Sequence, residues 1–102
     1  MNTASLEKAN RVAPNLEAFR LLSGKGFELI HLTLAIGEAQ TMHANPYRVI
    51  FYVLEGQGVL KLQDEKLQLL KDTCVEVGPE ILRCWENAGQ QPLKLLVVKF
   101  LE

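Results

Sequence analysis

Turn-forming residues punctuate this chain at intervals too short for helices to fill. Ser23-Gly24-Lys25-Gly26, Glu55-Gly56-Gln57-Gly58, Gly78-Pro79-Glu80 and Asn87-Ala88-Gly89-Gln90-Gln91-Pro92 each interrupt an apolar run before it could complete three helical turns. The runs between them are rich in β-branched and aromatic residues, which fit a pleated, half-buried surface. The spacing predicts strands over 18–22, 27–36, 41–45, 47–54, 59–63, 67–70, 73–77, 81–86 and 93–101. In 27–36, Phe27, Leu29, His31 and Thr33 alternate with Glu28, Ile30, Leu32 and Leu34, so both faces are partly apolar and the strand is packed on two sides. Ahead of the strands, Ser5 caps a short predicted helix over 6–12 that stops before Pro14. Many short strands with regular turns make an all-β sandwich or barrel.

The totals fit that reading. At 102 residues the chain has sequence for one core, with 1–15 as an N-terminal arm and 16–102 as the barrel. A formal net charge of -1 gives no basic face for nucleic acid. The longest apolar run, Leu95-Leu96-Val97-Val98, is flanked by Lys94 and Lys99 and is far too short to span a membrane. The opening Met1-Asn2-Thr3-Ala4-Ser5 lacks the basic and apolar regions of a secretory signal, so a cytoplasmic location is expected. In that compartment Cys74 and Cys84 are expected to be free, buried and inert thiols.

From Gly37 onward the glycines follow a recognisable order. Gly37 is followed after five residues by His43, then Asn45, Val49 and the corner Tyr52-Val53-Leu54-Glu55-Gly56-Gln57-Gly58. A second stretch runs Asp72, Gly78-Pro79-Glu80, Arg83 and Asn87. From Ala18 to the C-terminus this pattern resembles the cupins, small double-stranded β-helix or jelly-roll barrels. The resemblance implies a site of three imidazoles and one carboxylate around a metal. Here the corresponding positions hold His43, Asn45, Val49 and Arg83. One imidazole remains, Asn45 offers a neutral amide, Val49 has no donor atom, and Arg83 is a permanent cation. No tightly bound metal or other cofactor is therefore expected. The remaining route to a metal joins His43 to Cys84 or Glu86 under a shifted strand register.

The replaced set still reads as a pocket. Arg83 inside an apolar barrel requires an anion, either an internal carboxylate, with Glu38 as candidate, or a ligand's carboxylate or phosphate. By alternation Phe51, Val53 and Trp85 share the inward face with Val49 and Arg83. The expected ligand-binding residues are thus His43, Asn45, Arg83, Phe51 and Trp85, around a small polar or anionic molecule. His43 doubles as the candidate catalytic base, which keeps open a cofactor-free enzyme similar to the sugar isomerases and epimerases of this fold. A divergent metal-dependent cupin, of dioxygenase or phosphosugar isomerase type, is the third reading. Each residue also has a structural reading. His43 can be a hydrogen-bonded interior histidine, Asn45 a turn former before Pro46, and Trp85 core or dimer packing. A one-residue slip would turn Arg83 outward. The resemblance also implies a homodimer, with 93–101 and the N-terminal segment supplying apolar edges.

Overall fold

The computed structural model describes residues 1–101. A single 3-10 turn, Leu6–Lys8, precedes nine strands: β1 (Asn10–Arg11), β2 (Ala18–Gly24), β3 (Phe27–Leu34), β4 (Arg48–Glu55), β5 (Gly58–Leu62), β6 (Lys66–Leu69), β7 (Cys74–Val77), β8 (Arg83–Glu86) and β9 (Leu93–Phe100). They form a six-stranded sheet in the order β1-β2-β3-β9-β4-β7 and a three-stranded sheet in the order β6-β5-β8. Every named pairing is antiparallel. The last strand, β9, lies in the middle of the larger sheet, bonded to β3 on one edge and to β4 on the other.

The period-2 pattern decides which side chains enter the barrel. Ile30, Leu32 and Leu34 from β3, Val49, Phe51 and Val53 from β4, and Leu93, Leu95 and Val97 from β9 are all buried. They meet Leu60 of β5, Leu69 of β6 and Trp85 of β8 in one cluster, so the two sheets close over a shared core. On the outer face of the larger sheet, Leu29, Ile50, Leu96 and Val98 stay half-buried. This is the second apolar face that the alternation in 27–36 foretold.

Two expected elements differ. The helix over 6–12 is reduced to the Leu6–Lys8 turn, whose residues bury nothing. Without an apolar face to pack, a helix this short has no source of stability. Asn10 and Arg11 instead pair with Arg20 and Phe19, and the Val12 amide donates to the Ala18 carbonyl at 2.7 Å. The strand expected over 41–45 is not continuous either. The segment from Gly37 to His43 runs along the free edge of β8 through separated bonds: Gly37 to Asn87, Gln40 to Trp85, and a reciprocal pair between His43 and Arg83. Cys74 and Cys84 are both free thiols, and Cys84 is buried. Cys74 is exposed, because it stands on edge strand β7 with its side chain on the face opposite Val75 and Val77. No helix among the described residues is long and apolar enough to cross a membrane.

The motif glycines do unequal work. Gly56 has φ +79°, and a Cβ there would come 2.5 Å from the Pro92 carbonyl oxygen, part of the backbone entering β9. Gly37 has a similar φ of +82° but open space around it. Gly37→Ala therefore meets only the left-handed backbone penalty, about 1–2 kcal/mol. Gly56→Ala adds a collision with main chain that cannot swing away. Urea denaturation should show Gly56→Ala losing clearly more stability than Gly37→Ala; equal losses would mean that the β4–β5 corner yields.

Candidate functional site

Between the sheets lies a cavity of ≈ 160 Å³. One wall is apolar and comes from the larger sheet: Ala18, Ile30, Leu32, Val49, Phe51 and Val97. The other is polar and comes from β8 and the segment beside it: Gln40, His43, Asn45 and Arg83. Gln40, His43 and Leu16 also line an outer recess with Glu38 and Thr41, so they stand where the cavity opens. A larger surface depression, ≈ 500 Å³ between the arm and β2, is bordered by Thr3, Ser5, Lys8 and Arg20 and does not reach the core.

Arg83 is the unusual member of this set. It starts β8 with an inward side chain and is only 3% exposed. Its guanidinium sits 6.0 Å above the Phe51 ring. Nη1 reaches the Ile81 carbonyl at a long 3.4 Å, and buried Nε has no partner. Among the described residues no carboxylate forms an ion pair with it. Burial pushes its pKa down from the usual value, yet a guanidinium stays protonated throughout the physiological range. The barrel thus encloses an unpaired cation. Glu38, the expected internal partner, does not supply the countercharge. Its carboxylate accepts from the Ala35 amide at 2.8 Å and caps an exposed turn.

The neighbouring polar groups are fixed by backbone contacts. His43 and Arg83 exchange both main-chain hydrogen bonds, at 3.0 and 2.9 Å, which puts their side chains on one side of the ladder. His43 Nδ1 lies 2.8 Å from the Thr41 carbonyl. A carbonyl only accepts, so Nδ1 carries a proton, and in the neutral ring Nε2 is the acceptor. Asn45 Oδ1 accepts from the Tyr47 amide at 3.0 Å, and Gln40 Oε1 accepts from the Trp85 amide at 3.1 Å. With both amide oxygens engaged, each side chain has its NH2 group left to offer. Beside Arg83 the polar wall is consequently rich in donors.

Of the residues expected to bind ligand, His43, Asn45, Arg83 and Phe51 line one cavity. Trp85 does not. It faces inward, 1% exposed, but packs edge-on against Phe51, with centroids 5.4 Å apart and planes at 71°. Phe51 separates it from the cavity, and alternation along a strand reports the face of a residue, not its depth along the barrel axis. Asn87, the last residue of the second motif, is fully buried and wholly engaged. Its Nδ2 donates to the Leu34 and Gln91 carbonyls and its Oδ1 accepts from the Gly89 amide, all at 3.0 Å. It ties β3 to the β8–β9 turn.

Gln40 and Lys99 were missed. Gln40 lies in a segment without a period, so nothing in the sequence marks it. Lys99 was legible, because it continues the inward series Leu93, Leu95, Val97 by one more step of two. Its ammonium stands 5.7 Å from the Tyr47 ring and 3.8 Å from Glu28, which also holds Arg20 at 2.7 Å.

Comparison with known proteins places this architecture. The family model of the cupin domain matches residues 30–99. The chain belongs to the cupin family. An uncharacterised protein of Methanocaldococcus jannaschii is 35% identical over 51 residues, 50% of this chain and 41% of the relative. The cupin chain thus spans less than half the length of that curated relative. Two solved structures share the fold at low identity. The polyketide cyclase RemF of Streptomyces resistomycificus has a TM-score of 0.84 at 17% identity, covering 100% of this chain and 80% of that one. A predicted oxalate decarboxylase of Thermotoga maritima has a TM-score of 0.83 at 18% identity, covering 99% and 100%.

An unpaired buried charge should be a burden on the cupin's stability. Arg83→Met keeps an unbranched apolar stem and removes the charged head, so it should raise the free energy of unfolding by about 1–2 kcal/mol. Urea denaturation without added anions measures this; a loss of stability instead would mean that the fold itself supplies the countercharge.

Proposed function

We propose that this cupin domain binds a small polar or anionic molecule in its barrel cavity, without a tightly bound metal. The observation that carries the reading is Arg83, a buried cation facing a cavity with no carboxylate to meet it. A ligand anion would supply the missing charge and the acceptor for Nε, and charge-assisted bonds in such a place are strong. The donor groups of Gln40 and Asn45 favour the same partner.

The donor chemistry does not fit the metal that the family implies. At the positions of its ligands stand one imidazole, one amide already bonded to backbone, one valine and one cation. Among the described residues no three His, Cys, Asp or Glu side chains gather anywhere. A divalent ion beside Arg83 would meet repulsion and at most one strong ligand.

One observation favours catalysis as a second reading. His43 lines the cavity mouth and is oriented by the Thr41 carbonyl at Nδ1, so in its neutral form Nε2 is the nitrogen left to act as a general base. Such an enzyme would be a cofactor-free isomerase or epimerase. The cavity of ≈ 160 Å³ is small beside the roughly 300–1,000 Å³ of sites for larger organic ligands, so a sugar nucleotide would lie mostly outside it.

Two measurements test the proposal. Elemental analysis of protein purified without chelator should find iron, zinc, manganese and nickel well below one atom per chain, and a stoichiometric metal would overturn the metal-free reading. Small organic anions at constant ionic strength should raise the melting temperature of the native cupin, and Arg83→Gln should weaken that binding at least about tenfold. For the second reading, solvent deuterium should enter a ligand carbon in native protein and not in His43→Ala.

A further inference from the structure

We propose that the occupant of the cavity is a small monocarboxylic acid with an apolar body. This rests on the reading that the cavity takes an anion, and narrows it to one chemical class. Four features of the cavity lead there.

The first is the number of free charges. Two cations line the cavity, Arg83 and Lys99. Lys99 already lies near Glu28 and over the Tyr47 ring, and Glu28 is shared with Arg20. Of these two cations, only Arg83 has no ion pair with a described residue, so the cavity calls for a single negative charge.

The second is the geometry of the donors. A guanidinium is a planar fork matched to the two oxygens of a carboxylate, and Nε is part of that fork. A phosphate dianion needs donors on several sides, typically a nest of backbone N–H groups or a helix N-terminus. The apolar wall is built of strands whose amides are engaged in ladders, and the one 3-10 turn among the described residues lies in the arm away from the cavity. Lys99 is already drawn to Glu28, which leaves the side-chain amides of Gln40 and Asn45 to add to the fork.

The third is the division of the walls. Ile30, Leu32, Val49 and Val97 offer a surface with no polar side-chain atom, opposite the donors. A carboxylate alone would leave that wall against water. A hydrocarbon body would cover it and gain the free energy of leaving solvent.

The fourth is size. A cavity of about 150 Å³ is enough for one benzene ring, so ≈ 160 Å³ holds a chain of a few carbons or a single ring.

The test is calorimetric titration of native protein with acetate, butanoate, hexanoate, decanoate and benzoate at constant ionic strength, with inorganic phosphate, butanamide and butanol as controls. Affinity should rise by about fourfold per added methylene, the gain of burying one CH2, and cease to rise once the chain outgrows the cavity. Butanamide and butanol should bind at least about tenfold more weakly than butanoate. Val97→Phe fills the apolar wall and leaves Arg83 untouched; it should weaken hexanoate and benzoate while sparing acetate. Phosphate binding as tightly as butanoate, or an affinity that ignores chain length, would overturn the monocarboxylate class and leave the anion reading standing. No binding of any anion would remove both.

Discussion

Strand β9 holds this molecule together, although it comes last of the nine in sequence order. It lies between β3 and β4, bonded along both edges, and its inward residues Leu93 and Leu95 are completely buried. Every path from the N-terminal half of the large sheet to β4 and β7 crosses it. The barrel cannot close before residues 93–100 are in place, so its decisive contacts are long-range and its folding is expected to be slow for its size. The corner at Gly56 serves the same strand. A side chain there would strike Pro92, the residue from which β9 departs.

That central strand also divides the interior by depth. Its first two inward residues, Leu93 and Leu95, lie in the dry part of the core with Leu60 and Trp85. Val97 borders the cavity, and Lys99 marks its charged end. The Phe51–Trp85 pair stands at the boundary, one ring lining the cavity and the other shielded from it. The packed core and the cavity thus occupy different stretches of the same strands. A cavity in the upper layer can hold an unpaired guanidinium because the layer below supplies the packing.

This layering explains what could be read from the sequence. Turns and alternation are local properties, and they placed the strands, the inward face of β4 and the inward orientation of Arg83 and Trp85. Depth along the barrel is not local. The sequence treats Trp85 and Arg83 as equals on one face, yet one is core and the other lines the cavity. Gln40 was invisible for a related reason. Its segment gains order only from separated bonds to β8, so no period announces it. The helix over 6–12 failed in the opposite sense. Its residues had local helix signals, and a ladder with Phe19 and Arg20 overrode them.

The two halves of the motif prove separable. Gly37, Gly56 and Asn87 shape the backbone: two glycines take positive φ, and the asparagine ties three main-chain groups together. His43, Asn45, Val49 and Arg83 stand where the sequence resemblance puts the family's metal ligands, and there the side chains of Asn45 and His43 bond only backbone within two residues of themselves. His43 and Arg83 are held together by their own peptide groups, so their side chains can change from ligands to donors without loosening the ladder. A cation in the place of an imidazole inverts the electrostatic preference of the site. On the proposed reading, a barrel suited to a metal becomes one suited to an anion, on the same strands and with the same corner glycine.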